Sequence, residues 1–478
     1  MLLIFGRIYS IIWLQKNAKE RKSKMQKIFS IILALIQSIL LLFGANGGNE
    51  SAWQLESVPA YDGGIVCKTV YNAGSGLKWD YDGPTETDSK MQLVTATDLG
   101  EYEAYCSKLE ENGFVKTYSN VFGGVNCNAF RKDGKLYYTY LSENLGEVRI
   151  IEDNGTNSFE DFGYTYSAGS AATVYQFDHV YSGLVSDREL YSTNGMMYII
   201  RLADNSLIVI DGGSIRQSSD KNIDECIKFM HKITGTEPGE TIKIALWYGT
   251  HGHSDHITFF YKLLGYYHKE IDLERAMFNY PSFSLIEHDK RADMFRERLV
   301  KYYPNVKYLA PHTGMSFSIA NVDFEVIYTH EDAVSAFTGK TPVTNANDGS
   351  TVCRLTAAGK RLLILGDLNI LGERKIVNMH GKDIFKTDIL QAPHHLYNAD
   401  TVIYGSSKAE WVLCPNSENM AVSGMPGYTS ARLFYRDDQL LYADNALYGI
   451  EMSADGLTVS VDYTECVPCD GSSMNGER

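Results

Sequence analysis

The residues best suited to chemistry lie in Thr250-His251-Gly252-His253-Ser254-Asp255-His256, where three imidazoles and a carboxylate fall within six consecutive residues. Neutral imidazole and carboxylate are the ligands that suit zinc and its neighbours. His251 and His253 are two apart, so on an extended backbone both rings point the same way. Asp255 and His256 turn into a first helical turn and face the same cavity from the other side. Three further positions join them. Asp211 opens Asp211-Gly212-Gly213, Asp367 follows Gly366, and His394-His395 follow Pro393. Each of the four groups stands at the end of an apolar run, so four strand ends deliver metal-binding side chains in chain order.

The elements that must position them can be read from periodicity. Residues 243–248 form a buried strand. Ile257, Phe260, Tyr261 and Leu264 then keep helical spacing up to Gly265. Residues 196–202 and 207–210 are two strands joined by Ala203-Asp204-Asn205-Ser206. Ile223, Cys226, Ile227 and Met230 mark a helix closed by Gly235. Residues 362–365 and 388–393 are strands that lead to Asp367 and to the histidine pair. Residues 277–280 read as a strand and 291–303 as an exposed helix. His288, His312 and His330 fall in or beside loops and read as solvated.

Before this second domain, residues 175–465, comes a small α+β module over 50–170. Asp98-Leu99-Gly100-Glu101 has the form of a capping box. Leu99, Tyr102, Cys106 and Leu109 continue the helix, and Lys132-Asp133-Gly134-Lys135 is a hairpin turn. The module offers no cluster of His, Cys or carboxylate. Its tyrosines read as sheet residues.

Residues 1–49 carry the basic side chains Lys16, Lys19, Arg21, Lys22, Lys24 and Lys27 and then an apolar run over 28–43. That order is a secretory signal or an N-terminal anchor, which predicts a secreted or extracytoplasmic protein that meets the membrane only through this segment. The net charge of −15 works against a polyanionic partner such as nucleic acid. Among eight cysteines, Cys226, Cys353 and Cys414 read as packed thiols. Two of Cys67, Cys106 and Cys127 could pair, and Cys466 and Cys469 form a lone C-x-x-C in the tail, residues 466–478.

The order H-x-H-x-D-H after a strand resembles the metallo-β-lactamase-fold hydrolases. Asn345 to Val352, the strand from Leu362 to Gly366-Asp367, and Asp388 to His395 resemble the N-x-x-S-x-V, G-D and D-x-L-K-x-x-H-H-G-S runs of the ComEC-type and phosphorylcholine esterase branch. The likeness covers residues 190–460. It departs at Gln391, which replaces Lys, and at Leu396-Tyr397, which replace Gly-Ser. The resemblance implies an αββα sandwich of four layers. It also implies two divalent metals, zinc or manganese, that share a hydroxide and cleave a phosphodiester. His251 and His253 would bind one metal, Asp255 and His256 the other, and Asp367 would bridge. His395 would complete the second metal and His394 would touch substrate. Asp255 would also orient the water or take its proton. Asp211 would support the metal loop without touching the metal. No histidine fills the lone position that many relatives place before the bridging Asp. A phosphoryl oxygen would lie near the N-terminus of the helix after Asp255. The substrate implied is a small or cell-wall-linked phosphodiester. The alternatives are a ComEC-like secreted nuclease and a lactonase or β-lactamase-type hydrolase.

Overall fold

In the computed structural model, residues 52–67, 71–74, 77, 89–159, 169–177, 195–280, 291–334, 345–443 and 447–462 are described. The 1–49 segment, His288, Cys466 and Cys469 lie outside them.

The first module is one sheet and one helix. Its strands are β1 (Ile65–Val66), β2 (Tyr71–Gly74), β3 (Ser89–Thr95), β4 (Val115–Phe122), β5 (Val125–Lys132), β6 (Lys135–Ser142) and β7 (Glu147–Asp153). They order as β1-β3-β7-β6-β5-β4, with β2 also on β3. Helix α1 (Leu99–Glu111) starts where the sequence places it, because the Asp98 carboxylate accepts from Glu101 N at 3.0 Å. The β5–β6 turn has Asp133 at φ 50° and Gly134 at φ 79°, the left-handed pair that a two-residue hairpin needs. One face of the sheet buries Val94, Phe130, Leu141 and Ile150 against Tyr102, Tyr105 and Leu109 of α1. The other face shares its core with the rest of the chain, so the module is docked and not free-standing.

The second part is built from two further sheets. Its first strands are β8 (Ala172–Gln176), β9 (Met197–Arg201), β10 (Leu207–Asp211), β11 (Ile242–Tyr248), β12 (Ile271–Leu273), β13 (Arg275–Met277) and β14 (Lys307–Leu309). Next come β15 (Ser316–Ile319), β16 (Val322–Tyr328), β17 (Val352–Ala357), β18 (Lys360–Ile364), β19 (Ile389–Gln391), β20 (Trp411–Cys414) and β21 (Leu440–Tyr442). The last are β22 (Leu447–Ser453) and β23 (Gly456–Asp462). One sheet runs β14-β13-β11-β10-β9-β8-β22-β23, with β12 on β11, and the other runs β15 to β21 in sequence order. Their inner faces meet through residues such as Ile208, Leu246, Val326, Leu355, Ile364 and Leu413.

Helices α2 (Asp220–Thr234), α3 (Thr258–Tyr267) and α4 (Arg291–Tyr302) cover the outside of the first of these sheets. Helices α5 (Ile370–His380), α6 (Thr401–Ser407), α7 (Glu418–Val422) and α8 (Pro426–Ala431) cover the outside of the second. The result is a four-layer αββα sandwich. Each outer helix pairs a buried apolar stripe with a sheet that is buried on both faces, which is why the strands read as continuous apolar runs.

Five expectations need correction. Residues 277–280 do not form a strand, since β13 ends at Met277 where its pairing with β14 stops. Helix α4 is not exposed: Ala292, Phe295 and Leu299 pack into the core beneath it, with the Phe295 ring centred 4.1 Å from that of Trp247, and Asp293, Arg296 and Arg298 are buried as well. Helix α3 does not stop at Gly265 but continues two residues further to Tyr267, because Tyr266 and Tyr267 pack against the core and offset the low helix propensity of glycine. Cys67, Cys106 and Cys127 are buried free thiols, and no disulfide joins them. His312 and His330 are 1% and 0% exposed, not solvated. They lie past the ends of β14 and β16; the first sheet closes over His312, and His330 Nε2 meets Asn279 Oδ1 at 2.9 Å. Tyr138 stacks on His312 at 4.9 Å, and Asp153 approaches its Nε2 at 3.4 Å.

Candidate metal centre

Strands β10 and β11 are parallel neighbours, and β18 and β19 are parallel neighbours in the facing sheet. Their C-terminal ends open on the same edge of the sandwich. Asp211 closes β10 with φ 56° and is fully buried. Its Oδ1 accepts from Thr250 N at 2.7 Å, and its Oδ2 accepts from Thr250 Oγ1 at 2.8 Å and from His256 Nδ1 at 2.7 Å. The loop after β11 is thus tied to the end of β10. At Gly366, φ is 57° and an added Cβ would meet Thr250 Oγ1 at 2.8 Å, so only glycine lets the β18 turn come this close.

Hydrogen-bond arithmetic fixes the tautomers. Since Thr250 Oγ1 donates to Asp211, it accepts from His251 Nδ1 at 3.1 Å. His256 Nδ1 donates to Asp211, and His395 Nδ1 donates to Pro415 O at 2.9 Å. The three Nε2 lone pairs therefore face the cavity. His251 Nε2 lies 3.1 Å from His253 Nδ1, and His256 Nε2 lies 3.2 Å from His395 Nε2. Asp367 sits among them. Its Oδ1 is 3.1 Å from His256 Nε2 and 3.4 Å from His395 Nε2, while its Oδ2 is 3.9 Å from His251 Nε2. Asp255 Oδ2 is 3.6 Å from His395 Nε2.

These side chains form two ligand sets that share one carboxylate: His251, His253 and Asp367, and Asp255, His256, Asp367 and His395. With their Nδ1 protons committed, neutral His256 and His395 would set two Nε2 lone pairs 3.2 Å apart, a repulsion that a proton or a metal cation between them relieves. Asp367 Oδ1 is buried with no aligned hydrogen-bond donor among the described residues, an arrangement that costs stability in the absence of a positive partner. The donor set, borderline nitrogen with hard oxygen, fits a divalent transition-metal cation.

The electrostatics say the same. Burial, together with its neighbours His256 and His253, pushes His251 well below the ordinary imidazole range. Burial would also depress His256, but Asp367, Asp211 and Asp255 outweigh it and hold this ring well above that range. His395 is raised to about 9, with Asp367 and Asp255 outweighing burial. Asp367 is held well below the usual carboxylate range, because His256, His395 and His394 outweigh its burial. Protons are standing in for positive charge that a bound cation would bring itself.

His394 is in neither set. Its Nε2 is 3.7 Å from Asp367 Oδ2, and Asn347 Nδ2 approaches the same nitrogen at 3.0 Å. Asn369 Oδ1 takes the Nδ1 proton at 3.0 Å, and Asn398 donates to Asn369. His394, His395 and Leu396 all have left-handed φ, at 47°, 48° and 68°. Asn416 Nδ2 holds the His395 carbonyl at 2.8 Å. That triple turn swings His395 inward and leaves His394 at the wall, 22% exposed. Sequence reasoning missed Asn369, Asn398 and Asn416, and attached Asn347 only to a family motif. Isolated asparagines beside turns carry no signal of their own.

One expected anion site is not there. The first-turn amides of α3 are already used: Thr258 N and Phe259 N bond to Gly213 O, and Phe260 N bonds to Gly212 O, at 2.9, 3.3 and 2.8 Å. The helix N-terminus is spent on the Asp211-Gly212-Gly213 turn and has no donor to spare for a phosphoryl oxygen.

No family model matches the chain, and no curated protein does. Solved structures do. The metallo-β-lactamase-fold protein YhfI from Bacillus subtilis is 12% identical over all of that chain and 59% of this one, with a TM-score of 0.35. The short form of human tRNase Z is 13% identical over 96% of that chain and 57% of this one, with a TM-score of 0.27. CmlA, a diiron β-hydroxylase from Streptomyces venezuelae, is 10% identical over 54% of that chain and 59% of this one, with a TM-score of 0.31. Likenesses of this size leave the reaction to be argued from the site itself.

Proposed function

We propose that this chain is a metal-dependent hydrolase that holds two divalent cations, zinc or manganese, and cleaves a phosphodiester. The observation that carries the reading is the Asp367 carboxylate, shared by both groups of ligands and buried with one oxygen that meets no aligned donor among the described residues. Bound there, the cations supply Lewis acidity toward a phosphoryl oxygen and lower the pKa of water. Asp211 and Pro415 O keep the Nε2 atoms of His256 and His395 turned inward. Asp255 is 35% exposed at its side chain, against 2% for Asp367, so it is the site carboxylate that incoming water meets and the one placed to take its proton. His394, kept neutral by burial and held by Asn347 and Asn369, lines the open side and contacts substrate. A chain of net charge −15 favours a small or cell-wall-linked phosphodiester over nucleic acid. The basic and then apolar order of residues 16–43 supports a location outside the cytoplasm.

Hydrolysis of bis(p-nitrophenyl) phosphate by the metal-loaded protein tests this, with His253→Ala and Asp367→Ala as controls. Turnover abolished in both variants is the expected result. A protein that holds two metals and leaves this substrate untouched while opening lactones or β-lactams overturns the phosphodiester assignment.

A further inference from the structure

The strand ends that carry Asp367 and His395 separate before either residue is reached. Strands β18 and β19 pair only at Leu362↔Ile389 and Leu363↔Leu390. Past that point the Gln391 side chain, fully buried, spans the gap. Its Oε1 accepts from Leu365 N at 2.7 Å, and its Nε2 donates to Gly366 O at 3.0 Å and to Ala392 O at 2.6 Å. One acceptor and two donors are all used, so the amide acts as one more rung of the parallel ladder. Gly366 O also accepts from His394 N at 3.1 Å. Gln391 thus bonds to the residue before Asp367 on one side and stands four residues before His395 on the other. It faces backbone, not the cavity.

We propose that Gln391 is a positioning residue whose amide sets the separation of Asp367 and His395, and with it the set formed by Asp255, His256, Asp367 and His395. The inference rests on reading these residues as a metal centre. Removing the amide frees both turns at once, while His251 and His253 stay anchored through Thr250 on the opposite sheet. The loss is therefore lopsided, which a plain core residue would not produce.

The experiment compares the full chain with Gln391→Leu and Gln391→Glu. Glu keeps the acceptor for Leu365 N and gives up both donors, so it remains informative if the leucine variant does not fold. Hydrogen exchange of the metal-free proteins is read by peptide, and zinc ion alone is titrated calorimetrically. The expected result is exchange about tenfold faster in peptides covering 364–368 and 391–396, with 352–357 unchanged, and zinc uptake below two ions per chain, since one group loses two ligands and the other loses the shared Asp367. Wild-type exchange at both turns with two zinc ions still bound overturns the proposal. So does exchange that rises evenly through β17, β18 and β19, which marks an ordinary core residue. Should the unmodified chain take up no zinc, the metal-centre reading falls, and the two exchange patterns alone decide the role of Gln391.

Discussion

Asp211→Asn is the sharpest perturbation of this centre, because it changes a charge and a tautomer while leaving the shape alone. The carboxylate accepts three hydrogen bonds, from Thr250 N, Thr250 Oγ1 and His256 Nδ1. Asparagine tolerates the φ of 56° at this position, so the turn survives. Its single oxygen can stay on Thr250 N, but its NH₂ group then faces two hydrogens, one on Thr250 Oγ1 and one on His256 Nδ1. The ring relieves the clash by moving its proton to Nε2, the atom that lies 3.1 Å from Asp367 Oδ1. His256 then offers no lone pair to a cation. A hydrogen bond to a charged group contributes about 1.5–3 kcal/mol. Removing a partner that orients a ligating histidine weakens metal binding roughly 10–100-fold, which is about 1.4–2.8 kcal/mol. The two routes agree. Zinc affinity, measured by competition with a chelator, should fall by that factor in a variant that still unfolds cooperatively in urea. Nitrogen NMR of His256 should show the proton on Nε2 in place of Nδ1. Zinc affinity within a factor of two of wild type, in a folded variant, refutes the tautomer argument.

Two further outcomes follow from strain and from linkage. Leu396→Gly relieves a left-handed residue at about 1–2 kcal/mol but deletes a fully buried side chain at about 2–5 kcal/mol. Urea unfolding should therefore show a net loss of roughly 0–4 kcal/mol, and a gain in stability would mean that strain dominates the His394–Leu396 turn. Burial would lower the His312 pKa, but Glu331 and Asp153 raise it to about 10. A folded pKa above the unfolded value of about 6.5 gives stabilisation that is complete below that pH and lost as pH rises through about 10. The stability gap between wild type and His312→Gln should shrink across that window, and a gap that does not change with pH would refute the assignment.

Much of the site could be read locally. The capped start of α1, the β5–β6 hairpin, the strand before His251 and the glycine beside Asp367 all follow from rules that reach only a few residues along the chain. H-x-H-x-D-H is legible for the same reason, since residue types and short spacing mark it as a ligand cluster, although Asp211 from a neighbouring strand fixes Thr250 and His256. His312 and His330 were misread on that same local logic: the first sheet, docked from more than 150 residues earlier in the chain, buries His312, and His330 is buried beside Asn279, about 50 residues before it.

Tertiary structure decided the rest. Only the pairing of β10 with β11 and of β18 with β19 shows that Asp211, His256, Asp367 and His395 meet at one edge. Only the packing of α3 on the Asp211-Gly212-Gly213 turn shows that its first amides are spent. The triple left-handed turn chose His395 over His394 for the ligand sets, and no propensity favours three such residues in a row. Sequence determined which groups could bind a metal, because residue type and short spacing are local properties. The fold determined which of them converge, because hydrogen bonds between strand ends far apart in the chain exist only once both sheets have formed.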